Sequence, residues 1–218
     1  MAEPRPATLR VYPTTVADSW RWMRLDLFVR LVPLTIAPFL VASITHTPLS
    51  DFGLTLAHPL RDVLISIPLG LAGFLVAAGF AAYLARRNGR LFVPDIRDLF
   101  TQCAYYIVLN APIEEWFFRG FLQGGLTRWL GMPALAVVIA TAVFGGYHFL
   151  DRWGWRPVVG ATFAGFALGL IYLWQPAPPS LLAPTLVHGA ITCGFLGLGP
   201  YLFANLPPPL RGRVGVGG

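Results

Sequence analysis

Six stretches of about twenty apolar residues constrain this chain more than anything else in it, because that length of helix crosses the hydrocarbon core of a bilayer. They fall at roughly 25–45, 62–84, 99–123, 133–150, 157–174 and 181–203. Composition agrees with a lipid-facing surface. Of the 218 residues, 56% are hydrophobic and 12% charged, where a soluble domain carries about a quarter charged residues. The sequence therefore predicts an all-α fold, a polytopic transmembrane helix bundle of about six spans. Residues 1–24 read as a polar cytoplasmic N-terminal segment bearing Pro4, Pro6 and Pro13. Residues 25–205 read as one membrane domain, and 206–218 as a Pro/Gly-rich disordered tail. No cleavable signal peptide is expected, since the first apolar stretch is long enough to span.

Arginine placement orients the bundle. Counting alternate connections, twelve arginines (5, 10, 21, 24, 86, 87, 90, 97, 152, 156, 211 and 213) fall on one side, against Arg61 and Arg128 on the other. The positive-inside rule then places both termini in the cytoplasm, with a bacterial inner membrane as the expected location. Arg30, near the start of the first span, is expected to snorkel to the interface. The net charge of +6 is spread singly between apolar runs, with no basic stripe to suggest nucleic acid. Cys103 and Cys193 sit in apolar runs and read as small buried hydrophobes. The spacings Gly120-xxx-Gly124 and Gly165-xxx-Gly169 permit close helix packing within the bundle.

Against this background two acids stand out. Glu114 and Glu115 lie side by side in Ala111-Pro112-Ile113-Glu114-Glu115-Trp116-Phe117-Phe118-Arg119-Gly120. A carboxylate at membrane depth costs several kcal/mol, so it usually has a partner or a task. Glu115 and Arg119 stand at i and i+4 in the order that favours a helical ion pair, and they are assigned to structure. Glu114 points about 100° away around the helix and has no cation within its own helix. Two histidines lie in later spans: His148, after Phe144-Gly145-Gly146-Tyr147, and His188, with Thr192 one turn on and on the same face. His46 and His58 fall in a loop and read as solvated.

One carboxylate and two imidazoles on three spans should converge if each is to avoid lipid. Desolvated glutamate beside histidine can take a proton from water, and a second histidine with a hydroxyl beside it can donate to an oxyanion. No Gly-x-Ser-x-Gly elbow and no His-Glu-x-x-His helix occurs, so serine-hydrolase and zinc-helix readings lack support.

Taken in order, Glu114-Glu115-x-x-x-Arg119, Phe144-x-x-x-His148 and His188-x-x-x-Thr192 resemble the CPBP family of intramembrane proteases, which includes CAAX prenyl endopeptidases and bacteriocin self-immunity proteins. The resemblance covers roughly 105–200. It implies a helical membrane fold in which Glu114 is the base and His148 its partner on the water. His188 and Thr192 would form the oxyanion site, and Glu115, Arg119 and Phe144 would support it. The family often has Asn where this chain has Thr192; a threonine hydroxyl can donate but is shorter. The implied substrate is a membrane-associated protein or peptide, cleaved in or near its membrane segment or C-terminal region. Compact size favours a bacterial housekeeping or sorting role over eukaryotic prenyl processing. Family members are also labelled metalloproteases, for which Glu114, His148 and His188 could form an open two-His, one-carboxylate zinc site. Catalysis without a metal or other cofactor is the expectation adopted.

Two rival readings use the same residues. In a proton-coupled transporter or accessory, Glu114 would carry a proton and the histidines relay it. In a non-catalytic immunity or scaffold protein, the motifs would serve packing. Linear depth also poses a problem: at 1.5 Å per residue, Glu114 lies about 22 Å from the cytoplasmic end of its span and His148 about 8 Å from that edge. A break at Pro112, or longer or tilted neighbouring spans, would bring them to one level.

Overall fold

In the computed structural model, residues 9–150, 154–206 and 214–216 are described. Six helical rods follow one another. α1 is Val16–Thr45 and α2 is Pro59–Asn88. α3 covers 96–130 without a gap. α4 is Pro133–Tyr147, α5 is Trp155–Leu173, and α6 is Leu182–Ala204. Of these, α1, α2, α5 and α6 are long and apolar enough to cross a membrane. The expected all-α bundle of six helices is the observed one, with four of them, where about six spans were expected, long and apolar enough to cross, and with differences in extent. The first span starts at Val16 rather than near residue 25, and α4 has only 15 residues.

Local chemistry sets the ends. Asp18 accepts the Thr15 backbone N–H at 3.0 Å and opens α1, and Asp95 accepts the Asp98 N–H at 2.8 Å to open α3. Gly89 (φ 68°) closes α2 and Gly131 (φ 65°) closes α3, in the left-handed conformation that glycine adopts without a Cβ clash.

The helices are inverted relative to a soluble protein. Their outer faces carry exposed apolar side chains such as Leu64, Val76, Phe163 and Leu71, whereas Asn110, Glu114, Glu115, Arg119, Gln123, His148 and His188 are buried. Water cannot satisfy polar groups in hydrocarbon, so they turn inward and find one another. α2 and α6 pack along their lengths. A Cβ on Gly194 would meet the Phe74 carbonyl at 2.5 Å, so glycine is required for that approach. The Gly165 and Gly169 pair also serves close packing, against Phe144 and against Gln123 with Val137.

A small parallel sheet, order β2-β1-β3, closes one end. It joins β1 (Leu9–Thr14), β2 (Arg90–Pro94) and β3 (Val214–Val216). Tyr12 pairs with Phe92, and Val11 with Leu91 and Val216. Sequence reading had the first segment as a polar lead-in and 206–218 as disordered. Instead, each contributes a strand; the rest of that tail, 207–213 and 217–218, lies outside the described residues. Leu9 and Leu91 pack with Ala85 and Phe203, so the sheet has its own apolar anchor.

Pro112 does not break α3. The helix widens into π turns at Tyr106–Asn110 and Trp116–Gly124, with Pro112 and both glutamates between them. A wide turn shifts the hydrogen-bond register and accommodates a residue that lacks an N–H, and such turns recur at functional sites.

Candidate active site

The conflict of depth is resolved by α4, not by Pro112. Fifteen residues give about 22 Å of helix, short of the roughly 30 Å of hydrocarbon. His148, which caps the end of α4, nonetheless reaches the same cavity as Glu114. A cavity of about 750 Å³ is lined by Glu114, His148, His188 and Thr192 together. Residues proposed from α3, α4 and α6 thus share one chamber. Its walls run past Asn110 and Tyr106 to Thr14, Phe92 and Pro94, the ends of β1 and β2.

The two adjacent glutamates occupy different surroundings. Glu115 is fully buried: its Oε2 lies 3.2 Å from Arg119 Nε, as the i, i+4 spacing predicts, and its Oε1 accepts from His188 Nδ1 at 2.8 Å. Arg119 also donates to the Gly165 carbonyl at 2.9 Å, tying α3 to α5. Its guanidinium lies 4.7 Å from the Phe144 ring centroid. Phe144 is the common floor of the site, with its ring 4.5 Å from that of His148 and 6.0 Å from that of His188. Gly165 leaves room for it, since a Cβ there would stand 2.6 Å from the ring.

Glu114 faces the chamber. Its Oε1 accepts from Arg30 Nη2 at 2.7 Å and from Asn110 Nδ2 at 2.8 Å. Its Oε2 is 3.8 Å from His188 Nε2, beyond hydrogen-bond range. The expectation that Arg30 snorkels to the interface is therefore corrected. Its guanidinium turns inward, where it pairs with Asp26 (2.9 Å), donates to the Tyr147 hydroxyl (2.6 Å) and reaches Glu114. An anion buried in hydrocarbon attracts the nearest long cationic side chain more strongly than a distant interface does. Asp26 also accepts from Tyr105 at 2.5 Å. Sequence reasoning missed Asp26, Arg30, Asn110 and Tyr147. A signal was present: Asp26 and Arg30 repeat the i, i+4 acid–arginine pattern, and Asn110 stands four residues before Glu114.

The histidines have defined orientations. His148 Nδ1 lies 2.8 Å from the Phe144 carbonyl. A carbonyl only accepts, so Nδ1 carries the hydrogen and Nε2 is the lone-pair nitrogen of the neutral ring. For His188, Nδ1 donates to Glu115, and Nε2 carries a hydrogen only when the ring is cationic.

The zinc alternative takes Glu114, His148 and His188 as its ligands. Among the described residues, no group of three or more His, Cys, Asp or Glu side chains is gathered to hold a metal. Arg30 and Asn110 occupy one oxygen of Glu114 with donors, and His188 Nδ1 is committed to Glu115. No step below passes through a metal.

Helices around a buried cluster of acids, imidazoles and guanidinium groups, four of them long and apolar enough to cross a membrane, define a polytopic membrane protein with an interior chamber. Residues 96–194, which span α3 to most of α6, match the family described as type II CAAX prenyl endopeptidase, Rce1-like. Over that stretch the chain is similar to this CPBP-type family, the one that the three motifs resemble. No curated protein and no solved structure matches the chain.

Proposed function

We propose that the chain is a glutamate-type intramembrane endopeptidase that hydrolyses a peptide bond in or near the membrane segment, or the C-terminal region, of a protein substrate. One observation carries the reading: Glu114, His148, His188 and Thr192, from three helices, line a single cavity. Arg30 and Asn110 fix Glu114 through Oε1 and leave Oε2 toward the chamber. Water held between Oε2 and His148 Nε2 gives a proton to Glu114 while its oxygen attacks the peptide carbonyl carbon. In this mechanism the Thr192 hydroxyl, and His188 through Nε2 when that nitrogen bears a hydrogen, donate to the resulting oxyanion. Glu114 then returns the proton to the leaving nitrogen as the C–N bond breaks.

The chamber extends to the ends of β1 and β2, and in this reading the substrate enters from the side where the sheet lies. Twelve arginines against two support that side being the cytoplasm, with both termini there and the bundle in a bacterial inner membrane. Thiol labelling of single cysteines introduced at Thr14 and at Leu56 checks the orientation: reagent added outside intact cells should reach only the second. The test of function compares membrane-protein termini in cells carrying the protein or its Glu114→Gln variant. Products that vanish with Gln support the peptidase; unchanged processing by a folded variant removes it. A transporter or scaffold would generate no new termini in either case.

A further inference from the structure

A second cavity, of about 420 Å³, opens toward the other end of the bundle, between the start of α2, the end of α5 and the start of α6. Its chemistry owes nothing to the proteolytic chamber. Asp62 lines it and is only 1% exposed, yet neither carboxylate oxygen has a hydrogen-bond partner. Being in the first turn of α2, Asp62 is eased by the helix dipole, but that does not replace the hydrogen bonds a buried carboxylate loses. The site therefore has an acceptor waiting for a donor that carries positive charge.

Gln175, across the cavity, offers the opposite. Its Oε1 accepts the Ser180 backbone N–H at 2.8 Å, which fixes the amide and leaves the Nε2 donor buried without a partner. Arg61, exposed at the rim, adds a guanidinium. The remaining wall is apolar, with Ile65, Leu69, Leu170 and Ile171. Leu69 and Trp174 also carry exposed apolar surface on the outside of the bundle, so the opening faces the acyl region. The occupant must then bring a primary ammonium for Asp62, an anionic oxygen for Gln175 and Arg61, and hydrocarbon for the wall.

We propose that this cavity binds a phospholipid with a phosphoethanolamine headgroup, the ammonium on Asp62 and the phosphate between Gln175 Nε2 and Arg61. A choline headgroup has no N–H to donate to a buried carboxylate, and a glycerol headgroup has no cation. The site consequently selects by headgroup rather than by chain.

Native mass spectrometry of the full-length protein, delipidated in detergent and titrated with dioleoyl phosphatidylethanolamine, phosphatidylcholine or phosphatidylglycerol, tests this. Wild type should retain one ethanolamine lipid at about tenfold lower concentration than the other two, the scale of a charge-assisted hydrogen-bond set. Asp62→Asn should erase that preference, and Glu114→Gln, at the separate chamber, should leave it intact. Equal retention of the three lipids by wild type overturns the proposal, as does a preference that survives in Asp62→Asn. Should Asp62→Asn not fold, the wild-type comparison alone decides. Because no arm measures proteolysis, the result stands apart from the proposed peptidase activity.

Discussion

Glu114 and Glu115 are neighbours in sequence and opposites in use. Glu115 spends both oxygens inside the protein, on Arg119 and on His188. Glu114 spends one, on Arg30 and Asn110, and turns the other to an open chamber. The contrast follows from the 100° between adjacent helical residues, which sets Glu115 between Arg119 and His188 and turns Glu114 toward Arg30 of α1 and the chamber. In the proposed mechanism identical chemistry serves as brace or as reagent according to what its second oxygen touches.

The largest effect should come from disturbing that second oxygen. Glu114→Gln should lower peptide hydrolysis by about 1,000-fold or more, the scale of losing a general base, while the protein stays folded in detergent. Measurable cleavage near the wild-type rate would erase the distinction between the two acids. Glu115→Ala or Arg119→Ala should act first on stability, because removing one half of a buried pair leaves the other uncompensated at about 3–5 kcal/mol. The readout is the melting temperature; variants that are fully stable but inactive would make Glu115 a reagent too.

Arg30→Gln should fall between these. It keeps a donor but removes the counter-charge of Glu114, so turnover should drop about 10- to 100-fold, as when a positioning contact is lost. The protein should remain folded, as checked by size-exclusion chromatography and melting. Thr192→Ala is expected to cost about tenfold or less in turnover, the share of one oxyanion donor that is not alone, and Thr192→Asn should retain activity. The smallest expected effect belongs to a zinc chelator, which should leave cleavage unchanged. Inhibition reversed by added zinc would mean that Glu114 acts through a metal.

The helical architecture was legible because hydrocarbon permits so little else: six apolar stretches became six rods. Glu114, Glu115, Arg119, His148 and His188 were legible because ionisable groups are conspicuous in such stretches. The Glu115–Arg119 pair was legible because it is local. The escape of Arg30 from its presumed place at the interface was not, because its partner lies 84 residues away and only the packing of α1 against α3 brings them together. Nor was the sheet, whose strands carry the Pro13 and Pro94 that ordinarily argue against strands. Pro112 misled for a related reason: sequence shows the missing N–H but not the π turn that absorbs it.

The brevity of α4 has a consequence for the lipids around the protein. Where a helix about 22 Å long meets hydrocarbon about 30 Å deep, the leaflet beside it must dimple or admit headgroups to cover the mismatch. A transmembrane segment drifting into that dimple loses part of its hydrophobic match before it touches the enzyme. Under the proposed function, its end would then be loosened already, and an unwound backbone is what the attacking water needs.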